Sequence, residues 1–296
     1  MTVAWVFPGQ GSQKVGMAAP LLSLPGARER FAEASELLGR DLLAICAGEP
    51  ASEPSDLNDT RNTQPALFVI ESLLAGALRD QGRSPSLVAG HSLGELVALH
   101  AAGVFDFSTG LRLMQRRSEL MAAAGGGAMT AVIGFERAEL DDLVAGREDV
   151  VIANDNSSAQ VVLSGLPEGV SAVCSQLRCK RAIPLAVSGA FHSPFMAEAA
   201  ERFAAELEAI PFADATVPVL SNTDPTPSRD AATLRQRLRD QMTRGVRWRE
   251  TMDGLSAQGI RTAVEIGPGA VLSGLIKRSC PDIGTAQISG SDDLGL

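Results

Sequence analysis

"SLVAGHSLGELVALHAAG", residues 86–103, sets a short apolar run against a Gly-His-Ser-Leu-Gly turn and then a longer apolar stretch. The run 86–90 reads as a buried strand, and the pattern from about Leu93 to Gly103 reads as a helix. A strand feeding directly into a helix implies a parallel sheet. The same pattern occurs twice more. "VAWVF" (3–7) runs into the turn "PGQGSQ", and "TAVEIGPGAVLSGLIKR" (262–278) reads as strand, glycine turn and helix.

Between these units the spacing predicts helices over 28–38, 65–82 and 108–124, the last ending at the hinge-like Gly125-Gly126-Gly127. Beyond it, strands are expected at 128–134, 150–155, 160–165 and 181–187, around helices near 136–146 and 168–179. This reads as a small α+β insertion. After it a helical stretch, a strand at 217–222 and an Arg-rich helix near 230–243 lead back to the main sheet. The expected division is 1–126, 127–188 and 189–296. The tail "QISGSDDLGL" reads as loosely held.

At 296 residues and 45% hydrophobic, the chain can bury a sizeable core. Its net charge of −9 argues against nucleic acid as a partner. No apolar run of about 18 residues suggests a membrane span. The four cysteines show no metal-ligand spacing, and "MTVAWVFPGQG" lacks the pattern of a signal peptide. A reduced, cytoplasmic protein without a bound metal is expected.

Gly-x-Ser-x-Gly between strand and helix is the nucleophile-elbow pattern, in which the glycines permit the turn and the helix N-terminus offers free N–H groups to an oxyanion. The competing reading of Ser92 is an ordinary helix N-cap. Three histidines could serve as its base. His100 lies eight residues further along the same helix, about 12 Å away, and reads as a core or surface residue. His91 adjoins the serine but points elsewhere, which suits packing or hydrogen bonding around the turn. His192, in the loop "SGAFHSPF", can approach from a distance as general base; its alternative is a loop histidine bonded to backbone.

A series of ordered motifs carries a resemblance that runs nearly end to end: "FPGQGSQ" (7–13), "TQPALF" (63–68), "GHSLGE" (90–95), "QRRSELM" (115–121), "IANDNSSAQVVLSG" (152–165), "GAFHSPFM" (189–196), "VRWRETM" (246–252) and "EIGPGAVLSGLIKR" (265–278). The chain resembles the malonyl-CoA:acyl carrier protein transacylases, acyltransferases of fatty acid and polyketide synthesis. The resemblance implies an α/β-hydrolase-like large lobe with a ferredoxin-like small lobe inserted. It implies Ser92 as nucleophile, His192 as base oriented by the carbonyl of Gln241, and oxyanion N–H groups from Gln10 and Leu93. Arg117 would grip the free carboxylate of the acyl group through its planar guanidinium. Arg116 beside it would face solvent. Phe191 would line the pocket and favour unbranched malonyl, with His91 and Asn156 in support. Two departures concern the pocket: "NSSAQ" replaces the commoner Asn-x-Pro-Gly-Gln turn, and Gly189 stands where many polyketide versions have histidine.

The implied substrates are malonyl-CoA and an acyl carrier protein, with no cofactor. Arg235, Arg239, Arg244, Arg247 and Arg249 form a candidate patch for the carrier or the CoA phosphates, although a solvated face explains them better. An acyl hydrolase on the same scaffold, a malonate decarboxylase subunit and a non-catalytic carrier-binding subunit are the competing functions.

Overall fold

A computed structural model describes residues 2–51, 53–187 and 189–295; Ser188, the last residue of the expected insertion, lies outside the described residues. Strand β1 (Val3–Phe7) is the middle of a five-stranded sheet and is covered on both faces. Trp5 and Phe7 belong to one apolar cluster and Ala4 and Val6 to the other, as the two-residue period of a strand requires. Following it are α1 (Ala27–Leu38), α2 (Leu42–Ala47), α3 (Thr60–Asp80), β2 (Leu87–Gly90), α4 (Gly94–Ala101) and α5 (Phe107–Ala123).

The chain then forms β3 (Ala128–Phe135), α6 (Arg137–Val144), β4 (Val150–Ser157), β5 (Gln160–Gly165), α7 (Pro167–Gln176) and β6 (Cys179–Pro184). These four strands make a separate antiparallel sheet in the order β4-β5-β3-β6, the ferredoxin-like arrangement. Val132, Leu140, Val161, Leu163 and Val173 fill its own core. The remaining elements are α8 (Ala197–Glu208), β7 (Val219–Leu220), α9 (Ala231–Asp240), α10 (Trp248–Ala257), β8 (Thr262–Ile266), α11 (Val271–Ser279) and β9 (Gly284–Ile288). The large sheet runs β7-β2-β1-β8-β9 and is parallel throughout. Helices α10 and α11 cover one face through Trp248, Leu255, Leu272 and Ile276, and α1, α3, α4 and α5 supply most of the other.

Two glycines decide how closely β2, α4 and β1 approach. A Cβ on Gly90 would stand 1.9 Å from the carbonyl oxygen of Gly94, and one on Gly94 would stand 2.2 Å from that of Phe7. Gly94→Ala therefore forces α4 away from β1. It should lower stability by about 1–3 kcal/mol, the usual cost of overpacking, and an unchanged denaturation midpoint would show that the contact can yield.

Several expectations are corrected. The tail is docked: Ile288 and Leu294 are buried, Gln81 Nε2 donates to the Leu294 carbonyl at 3.1 Å, and residues 284–288 form the fifth strand of the large sheet. Helix α3 begins at Thr60, five residues before the start that the sequence pattern predicts at Pro65. Proline removes the N–H that would have bonded Arg61 O, but Arg40 Nη2 donates to that carbonyl at 2.8 Å and the helix continues. Strand β6 starts two residues earlier than expected, and β7 is only two residues long.

Candidate active site

Ser92 follows the C-terminal end of β2, where the chain turns into α4 with φ of 53°. That left-handed conformation is unfavourable for a residue with a Cβ, so the surroundings must hold it. The Ser92 N–H donates to Asn222 Oδ1 at 2.8 Å, and its carbonyl accepts from Gln241 Nε2 at 2.9 Å. Asn222 Nδ2 also donates to the Gly90 carbonyl at 2.6 Å. The turn is thus clamped on both sides of the serine.

His192 enters from the loop between β6 and α8, itself at φ 55°. Its Nε2 lies 2.7 Å from Ser92 Oγ, and its Nδ1 lies 2.9 Å from the Gln241 carbonyl oxygen. A carbonyl can only accept, so Nδ1 carries the proton and Nε2 is left to take the serine's. Burial, followed by the Arg117 cation, pushes the imidazole down to about 3. A lowered pKa keeps the basic form available at lower pH. Acylation should therefore persist well below pH 6.5, the ordinary imidazole value, when followed by single-turnover kinetics. An acid limb at about 6.5 would contradict this environment.

Arg117 is completely buried in α5. One terminal nitrogen donates to Gln64 Oε1 at 2.6 Å, and the other to Ser92 Oγ at 3.1 Å and Gln241 Oε1 at 3.0 Å. Its Nε finds no acceptor among the described residues. Burial lowers the guanidinium to about 10, against the pull of Glu95, so it remains a cation at neutral pH. Arg116 instead pairs with Glu119 and Glu206 at the surface.

The remaining expected residues gather around this centre. A cavity of about 80 Å³ is lined by Gln10, Leu93, Met121, Met129, Phe191 and Leu185 together with Ser92, Arg117 and His192. It shares Gln10, Val187 and Phe191 with an open cleft of about 820 Å³. The backbone N–H groups of Gln10 and Leu93 have no acceptor among the described residues. His91 lies beside the cavity, with Nε2 2.8 Å from Asn156 Oδ1 and its ring 5.6 Å from that of Trp248, which ties the elbow to the small sheet. His100 points away, between Phe68 and Phe107. A Cβ on Gly189 would stand 2.5 Å from the Phe191 ring, so the glycine leaves the space that the phenylalanine uses.

The five arginines of the candidate patch are all engaged: Arg235 on the Ile210 carbonyl, Arg239 on Glu208, Arg244 on Asp240, Arg247 on Glu250 and Arg249 on Asp155. Four of them stand in local ion pairs and Arg235 holds a backbone carbonyl. Gln64 and Glu95 lie within quoted motifs and Asn222 ends an expected strand, but the sequence assigns none of them a role. Asn222 had one usable signal, its place just past a short strand, since parallel strands bring their carboxyl ends together. Among the described residues no group of three His, Cys, Asp or Glu side chains is placed to hold a metal, and no helix is long and apolar enough to cross a membrane.

Comparison with known proteins follows the same outline. The acyl transferase domain family matches residues 4–291. The malonyl CoA-acyl carrier protein transacylase of Synechocystis sp. is 52% identical over 99% of both chains. Its crystal structure superposes with a TM-score of 0.96, covering 100% of this chain and 99% of that one. A malonyl-transacylase solved in complex with its type II polyketide acyl-carrier protein is 40% identical, with a TM-score of 0.92 and coverage of 99% and 98%.

Proposed function

Because this chain belongs to the acyl transferase family, among its malonyl CoA-acyl carrier protein transacylases, we propose that it moves a malonyl group from malonyl-CoA to the phosphopantetheine thiol of an acyl carrier protein. Ser92 is the nucleophile and His192 the base. The observation that carries this reading is the buried Arg117 cation, 3.1 Å from a serine oxygen that itself lies 2.7 Å from His192 Nε2. A hydrolase of neutral esters has no use for that charge.

In the first half-reaction Ser92 Oγ attacks the thioester carbonyl as its proton passes to His192 Nε2. The carbonyl oxygen becomes an oxyanion received by the N–H groups of Gln10 and Leu93. When the C–S bond breaks, His192 returns the proton to the sulfur and coenzyme A leaves malonyl-Ser92. The carrier thiol then gives its proton to His192 and attacks the ester carbonyl, and Ser92 recovers its proton as the C–O bond breaks. Arg117 holds the malonyl carboxylate throughout, exchanging its bonds to Ser92 and Gln64 for the substrate oxygens. His91 and Asn156 steady the elbow, the Gln241 carbonyl orients the base, and Phe191 bounds the pocket against branched acyl groups.

The reaction needs no metal or redox cofactor, and its setting is the cytoplasm. The chain divides into lobes at 1–126, 127–188 and 189–296, a division supported by the two separate sheets. Intact-mass spectrometry tests the function. Malonyl-CoA should add one malonyl group per chain, and a holo-carrier protein should remove it with malonyl-carrier as product. Free malonate in its place would indicate a hydrolase, and no adduct would indicate a non-catalytic binding subunit.

A further inference from the structure

Glu95 is fully buried in the first turn of α4, three residues after the nucleophile, and it does not line the acyl cavity. Its Oε2 accepts from Gln241 Nε2 at 2.8 Å and from the Asn222 N–H at 3.1 Å. Those two residues clamp Ser92, one through its N–H and the other through its carbonyl. Gln241 also presents its backbone carbonyl to His192 and its side-chain oxygen to Arg117. One carboxylate therefore stands behind the nucleophile, the base and the carboxylate-binding cation together. Burial raises the Glu95 carboxyl above the usual carboxylate range, and the N–H donors of Gln241 and Asn222, then the Arg117 cation, pull it back toward the ionised form; its other oxygen has no partner among the described residues. The Gln241 amide links this carboxylate to Arg117: its Oε1 accepts from the guanidinium at 3.0 Å while its Nε2 donates to Glu95.

We propose that Glu95 is a positioning residue for acyl transfer: it holds the Gln241–Asn222 clamp and supplies the counter-charge that balances Arg117 while no substrate carboxylate is present. The inference rests on the transacylase reading. When malonyl binds, its carboxylate adds a second negative charge to the same guanidinium. Glu95 thus keeps the empty pocket neutral and limits how tightly the ground state is held. With malonyl in place, the two anions together favour the imidazolium that forms on His192 in the transition state.

Two variants separate the charge from the reach. Glu95→Gln keeps the shape and can keep both bonds through its amide oxygen, but it removes the charge. It should lower kcat about tenfold or more for malonyl-CoA and acetyl-CoA alike, while KM falls about threefold or more for malonyl-CoA and stays put for acetyl-CoA. Glu95→Asp keeps the charge but is one methylene too short to hold the clamp. It should lower kcat by about 10- to 100-fold with the ratio of the two KM values unchanged. Rates are normalised to the amplitude of the malonyl adduct, which counts folded, competent sites. KM values moving in parallel in Glu95→Gln, or kcat within about twofold of wild type in Glu95→Asp, would overturn the proposal. Failure of the wild-type protein to form a Ser92 adduct would instead defeat the transacylase reading.

Discussion

Ser92→Ala should eliminate the malonyl-enzyme, and His192→Ala should slow its formation by about 10²- to 10⁴-fold, the usual contribution of a positioned general base. With the hydroxyl gone no ester can form, whatever remains of binding. Loss of the imidazole leaves the serine proton without an acceptor, because the other group on Ser92 Oγ is the donor Arg117. His100→Ala is the control. That ring packs against Phe68 and Phe107, so its removal should cost stability without changing the rate per folded molecule. Intact-mass labelling over time, scaled to the folded fraction, distinguishes these outcomes. Equal losses in His192→Ala and His100→Ala would mean that folding was being measured, and adduct on Ser92→Ala would place the nucleophile elsewhere.

Arg117→Ala should invert acyl preference. Removing the guanidinium leaves the malonyl carboxylate unpaired in a largely buried cavity, at a cost on the order of 2–5 kcal/mol. Malonyl transfer should fall accordingly. Acetyl transfer carries no such charge and should be unchanged or improved, because Gln241 remains held through its amide nitrogen by Ser92 O and Glu95. The ratio of the two kcat/KM values should shift by about 30-fold or more, since each 1.36 kcal/mol is tenfold. Parallel losses for both substrates would show that Arg117 serves the architecture of the site and not the choice of acyl group.

What could be read from the sequence was local or repeated. The elbow was legible because strand, turn and nucleophile are contiguous, and the antiparallel insertion because short strand-like runs interleave with two helical stretches after the Gly125-Gly126-Gly127 hinge. Strand β9 was not. Its residues Gly284–Ile288 lie at a sheet edge with only Ile288 buried, so they carry little apolar signal. The start of α3 was hidden by Pro65, whose lost bond is replaced by an arginine 25 residues away in sequence. Glu95 and Asn222 fall in the same class. An acidic residue in a first helical turn reads as a partner for the helix dipole, and only the fold reveals that it is buried against Gln241. Arginine spacing likewise said nothing about Asp155, which Arg249 and Arg137 reach from different lobes.

Gly127 and Ala190 touch where the chain leaves the parallel sheet and where it returns; a Cβ on Gly127 would stand 2.2 Å from the Ala190 nitrogen. To the parent sheet, everything between them is a loop tied off at a single knot. Closure entropy grows only with the logarithm of length, about 0.6 kcal/mol per doubling, so the parallel sheet carries a whole second lobe there at little cost to its own folding. The lobe is nonetheless wired into the site. Asn156 reaches His91, and the Asp155 N–H donates to the Val246 carbonyl at 2.9 Å. A lobe transplanted between relatives at this knot should fold readily, yet it will inherit its recipient's chemistry only if those return contacts travel with it.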